Sequence, residues 1–141
     1  MNEIKLKRQV GFFFVISHFL ILILILAYYF LGGFLYSEMT TSLSLIIPLL
    51  SVYTLTIIKF FFKDRYKINQ KGRKITLQFA FINWFVPVLL FLYLITIISL
   101  KAFNKVFSSF DEFKGMLTMT EAVFGGYFGF IIPSLFKEKS T

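Results

Sequence analysis

The sequence predicts an all-α integral membrane protein, a four-transmembrane-helix bundle built from two hairpins with the N and C termini cytoplasmic. Three observations predict it. The 141 residues are 57% hydrophobic, with a mean hydropathy of +0.79. Four stretches are apolar over the about 20 residues that a helix needs to cross a hydrocarbon core of about 30 Å. Basic residues concentrate in alternate connections. A single membrane domain, residues 1–141, accounts for the length, because the remaining connections are too short for a separate soluble core, which needs at least about 40 residues.

The first span reads from about residue 12 to 31, with unbroken large side chains from Phe19 to Leu26. Lys5, Lys7 and Arg8 ahead of it imitate a secretory leader. The apolar run is too long for one, however, and Tyr28, Tyr29, Phe30 and Leu31 stand where a cleavage site needs small residues. It therefore reads as a retained helix and, lacking small residues at its centre, as the one best suited to face lipid. The second span covers about 43–62, the third about 77–100 and the fourth about 117–136. They carry Pro48, Pro87 and Pro133 respectively, and each proline removes a backbone donor and is expected to bend its helix.

Ala122, Gly125, Gly126 and Gly129 mark the fourth span as a packing face. Small residues four apart let helix backbones approach closely in lipid, where no hydrophobic effect draws helices together. The partner is either another helix of the same chain or a second copy, the latter giving a homo-oligomer or a pore lining.

Orientation follows from the connections. The segment 63–76 holds Lys63, Arg65, Lys67, Lys71, Arg73 and Lys74. With Lys5, Lys7, Arg8, Lys59, Lys137 and Lys139, the tails and middle loop carry twelve basic residues, against Lys101, Lys105 and Lys114 in the other two loops. The positive-inside rule puts the basic side in the cytoplasm of a cell whose inner membrane the chain crosses. The basic loop also suits an acidic soluble cytoplasmic partner. The net charge of +8 is better explained by lipid headgroups and topology than by nucleic acid.

The outer loop, 101–116, alternates Phe103, Phe107, Phe110 and Phe113 with Lys105, Ser108, Ser109, Asp111, Glu112 and Lys114. That pattern suits a short amphipathic segment lying in the outer headgroup layer as an anchor. Ser109 and Glu112 have capping-box spacing, so a new helix is expected to start there.

His18 and Asn83 lie about seven residues into their spans, about 10 Å beneath the cytoplasmic interface at 1.5 Å per residue. They read as an interhelical hydrogen bond, or His18 as a proton sensor or gate. The halves also align weakly: Arg8–Phe19 lies on Arg73–Trp84, and Ile57-Ile58 on Ile131-Ile132. A duplication of this kind would be parallel, with a pseudo-twofold axis along the membrane normal.

With no cysteine, thiolate metal sites, iron–sulfur clusters and disulfides are excluded; no cofactor or metal motif is present. An enzyme is not expected, because the spans contain no acid pair and Glu121 falls at an outer edge. In length and helix count the chain resembles the small multidrug-resistance transporters, which implies proton-coupled export. That family uses a membrane-embedded glutamate in its first helix, where this chain has only His18. The favoured expectation is a non-enzymatic membrane subunit that assembles with itself or docks a cytoplasmic partner, as a pore, an anchor and sensor, or a membrane effector of the kind used in phage defence. A small-solute or lipid-linked substrate transporter or flippase is the alternative.

Overall fold

The computed structural model describes residues 2–64 and 74–136, without the side chains of 49, 63–64 and 133–136. Arg65, Lys67, Lys71 and Arg73 lie outside the described residues, as do the side chains of Lys63 and Pro133. Four helices follow in order: α1 Glu3–Phe30, α2 Tyr36–Asp64, α3 Leu77–Ala102 and α4 Phe110–Phe136. Three segments, Glu3–Phe30, Leu77–Ala102 and Phe110–Ile132, are long and apolar enough to cross a membrane. The second helix is bent by 43° between Tyr36–Pro48 and Leu50–Phe62, where Pro48 supplies no N–H for the carbonyl four residues earlier. Pro87 does not divide its helix; α3 continues through it.

Three helices, α1, α2 and α4, begin earlier than their apolar cores, while α3 begins at Leu77, where its apolar run does. The Asn2 side chain accepts from the Ile4 N–H at 3.1 Å and Lys7 pairs with Glu3 at 2.8 Å, so α1 starts at residue 3 rather than 12. Thr76 caps α3. At α4 a variant of the capping box forms: Ser109 Oγ accepts from the Glu112 N–H at 3.4 Å, and the Glu112 carboxylate accepts at 2.9 Å from the N–H of Ser108, one residue before the cap. The helix launched there is not a separate short segment; it runs unbroken from Phe110 to Phe136.

Two C-terminal turns close the end of the bundle that carries the α1–α2 and α3–α4 connections. After α1, the N–H of Gly32 donates to Tyr29 O and that of Gly33 to Tyr28 O, with Gly32 at φ 78°. After α3 the same pattern recurs with Asn104 at φ 49°, Asn104 donating to Lys101 O and Lys105 to Leu100 O. Both are Schellman motifs, in which a left-handed residue lets the chain reverse and satisfy the last carbonyls. Gly33 passes so close to α3 that a Cβ would stand 2.9 Å from both Ala102 Cβ and Ala102 O.

Around the bundle the order is α1, α2, α4, α3, each helix packing on its two neighbours. Phe14 and Phe128, with ring centroids 4.9 Å apart, fill the centre across the α1/α4 diagonal. A pseudo-twofold along the membrane normal would put α1 and α3 on a diagonal; they are neighbours. Phe13 meets Trp84 and Tyr28 meets Ser99, an offset of 71 residues, whereas the sequence alignment of Arg8 with Arg73 requires 65. The two hairpins therefore stack side by side in one orientation, without the twofold.

Burial reverses one expectation about the helices. The apolar window of α1 is 39% buried and that of Phe110–Ile132 only 22%. Bulky side chains such as Leu6, Val10, Phe14, Ile21 and Ile25 are buried, Phe14 against Phe128 of α4 and Leu6 and Val10 in a cluster with Ala80 of α3, and filling such space takes volume that small residues lack.

Candidate functional site

Four neighbouring contacts each carry a polar tie. His18 Nδ1 meets Thr54 Oγ1 at 2.8 Å (α1 to α2) and Tyr28 Oη meets Ser99 Oγ at 2.9 Å (α1 to α3). Tyr53 Oη donates to Gly125 O at 2.9 Å (α2 to α4) and Tyr127 Oη to Ile82 O at 3.3 Å (α4 to α3). Such bonds contribute about 0.6 kcal/mol each in membranes, so they set register more than stability.

His18 and Asn83 do not meet. Asn83 is buried, its Nδ2 donating to Phe79 O within its own helix at 2.7 Å and its Oδ1 left without a hydrogen-bond partner. The cause is register: with α1 and α3 offset by 71 residues, His18 stands level with Leu89 and Leu90, well outward of Asn83. His18 is the sixteenth of the 28 residues of α1 and so lies near the middle of that helix.

The residue that stands level with it was assigned to the surface by sequence. Because α4 starts at Phe110, Glu121 is the twelfth of the 27 residues of that helix, well inside it rather than at its end. Its half-buried side chain lines a small cavity with Ile46, Leu50, Leu90, Leu94, Thr120 and Phe124. Among the described residues none hydrogen-bonds or ion-pairs with the carboxylate. Thr120, the other polar group there, spends its hydroxyl on Met116 O at 2.7 Å. An ionisable side chain held without a partner against an apolar cavity wall is costly to keep.

A second cavity lies across the bundle against His18, walled also by Ser17, Pro87 and Phe91. Leu50, Leu90 and Leu94 line both cavities and form the wall between them. The His18 cavity has room for about one water molecule, and the Glu121 cavity is at the lower limit for one. The imidazole Nε2 is buried and has no hydrogen-bond partner.

On α4, Ala122, Gly126 and Gly129 are exposed, and nothing within 4 Å would meet a Cβ at Gly126. Gly125 and Gly129 serve the chain's own packing, the first through its carbonyl to Tyr53 and the second as the place where a Cβ would stand 3.5 Å from the Tyr53 hydroxyl, so the uncovered part of the face is Ala122 and Gly126.

The outer aromatic set divides. Phe103 is 64% exposed and suits an interfacial anchor, but Phe113 is fully buried, in ring contact with Phe34, Phe107 and Phe110. Phe107 and Phe110 are half-buried with it. These rings roof an ion pair absent from the sequence reading. Lys101 Nζ stands 3.1 Å from Glu38 and about 6 Å from the Phe34 and Phe110 rings, and Glu38 also accepts from the Leu35 N–H at 2.9 Å. At the opposite end, Lys5, Lys59 and Lys74 are exposed, and Lys74 bridges to Asn2.

No protein-family model, curated protein or solved structure matches the chain, so the site is read from its own residues.

Proposed function

We propose that this chain is a non-enzymatic subunit of a bacterial inner membrane, crossing it four times with both termini cytoplasmic, and that it self-assembles through α4. The observation that carries the reading is the uncovered small-residue face at Ala122 and Gly126. In lipid, bulky exposed residues are at home, whereas a helix face of small residues forgoes contact unless another helix lies against it. The bent α2 serves as the fourth crossing, since its two parts together pass the length and hydropathy test. The basic end faces the cytoplasm and is available to an acidic partner.

Ala122→Leu and Gly126→Leu test the assembly directly. Neither position carries packing of the chain itself, so the variants should fold and insert but run as a smaller particle in mild detergent. An unchanged particle size refutes the assembly. A reporter joined after Thr141 should report from the cytoplasm; a reading from outside the cell refutes the orientation. Potassium leakage on expression separates a pore or membrane-disrupting effector from an anchor. The transporter reading is favoured by a different observation, the mid-bundle carboxyl of Glu121.

A further inference from the structure

We propose that Glu121 and His18 are a proton-exchanging pair at the middle of the membrane, separated by a leucine septum that the bend in α2 opens and closes. The inference rests on the chain spanning the bilayer as proposed above, and not on its assembly.

Chemistry selects the proton over other cations. The Glu121 cavity is walled by four aliphatic side chains, and its remaining oxygen donor, Thr120, is engaged with its own helix. A bare sodium or calcium ion would need about six oxygen ligands, which the described residues around Glu121 do not offer. A hydrated ion or an organic cation does not fit a space of about one water. A proton needs only the carboxyl oxygen and a neighbouring water.

His18 is the acceptor on the far side. Taking the tautomer in which Nδ1–H donates to Thr54 Oγ1, Nε2 keeps its lone pair, is buried, and has no hydrogen-bond partner. In the transfer, Glu121 gives its proton to the water beside it and becomes a carboxylate. The proton passes along water to Nε2, the imidazole becomes imidazolium, and release to the other side restores it. No bond other than those to the proton changes.

Leu50, Leu90 and Leu94 interrupt that path. Leu50 is the first residue of the second part of α2, immediately beyond the 43° break at Pro48. A change of angle there swings Leu50 relative to Leu90 and Leu94 and joins the two cavities. The wall itself bears no charge. The other titratable or charged groups of the described residues that the structure ties across neighbouring helices are Tyr28, Tyr53 and Tyr127, whose hydroxyls are all hydrogen-bonded, and Lys101, paired with Glu38 at the outer end.

The full chain in liposomes with a trapped pH-sensitive dye, driven by a potassium diffusion potential, provides the test. Wild type should carry protons above protein-free vesicles. Leu50→Ala should carry several-fold more. Glu121→Gln should lower the flux at least about tenfold, the loss expected when a proton-transfer group is removed. Glu121→Asp, which keeps a carboxyl, should retain part of it. Undiminished flux in Glu121→Gln overturns the proposal, as does equal loss in Gln and Asp, which would make the role one of packing. Absence of flux in both wild type and Leu50→Ala overturns it too. An alkaline carbonate wash separates the two failures: chain washed from the vesicles defeats the membrane reading, whereas chain retained without flux defeats this one.

Discussion

Gly33→Ala concentrates the energetics of the outer end into one methyl group. Its Cβ would lie 2.9 Å from both Ala102 Cβ and Ala102 O. Ordinary contact between such atoms is about 3.5–4.0 Å, so the α1–α2 turn must retreat from α3 by roughly half an ångström or more. The obstacle is backbone, which has no rotamer to change. Overpacking of this kind costs about 1–3 kcal/mol, against which the stiffer unfolded chain returns about 0.4–1 kcal/mol. A net loss of about 1–2 kcal/mol is expected. Gly115→Ala is the control. It lies inside α4, nothing within 4 Å meets its Cβ, and replacing a helical glycine stabilises by about 0.5–1 kcal/mol. The assay is equilibrium unfolding in mixed micelles with rising dodecyl sulfate, followed by Trp84, the sole tryptophan, whose ring packs 5.5 Å from Phe13. The midpoints should fall in the order Gly115→Ala, wild type, Gly33→Ala. A Gly33→Ala protein at or above wild type refutes the close approach of the turn to α3.

The ion pair at the same end makes a double-mutant test. Lys101→Met alone leaves Glu38 partly buried without its partner and should cost about 2–4 kcal/mol, whereas adding Glu38→Gln should recover part of that loss; additive losses in the same unfolding assay would mean that the two do not interact. Among the outer aromatics, Phe113→Ala should destabilise by about 3–5 kcal/mol because a fully buried ring leaves a cavity, while Phe103→Ala should change stability by less than about 0.5 kcal/mol. Equal effects would restore the reading of a surface anchor.

Errors of position in the sequence reading share one source. Hydropathy finds the apolar centre of a helix and not its polar ends, so the helix whose apolar run begins at Leu117 starts at Phe110 in the structure. Glu121 therefore lies eleven residues into that helix rather than four. The signal for it was present in Ser109 and Glu112, whose capping-box spacing marks a helix start that no turn residue interrupts before the apolar run. His18 moves in depth for the same reason, through the cap at Asn2. Other features had no local signal. Thr54 as the partner of His18, Leu50 as a cavity wall shared with His18 and Glu121, and Lys101 as the partner of Glu38 join residues more than about 30 positions apart.

The sequence by itself determined that the chain is helical and apolar enough for a membrane, because hydropathy and capping are properties of consecutive residues. It also determined that basic charge gathers beside alternate helix ends and that one face of α4 carries small side chains. Only the tertiary structure decided the order of helices around the bundle and the depth at which each side chain meets its neighbours. These depend on how the helices slide and turn against one another, and near-uniform stretches of Leu, Ile and Phe leave that register open. It is settled by a few specific contacts, Gly33 against Ala102, Phe14 against Phe128 and Tyr53 on Gly125, each of which joins parts of the chain far apart in sequence.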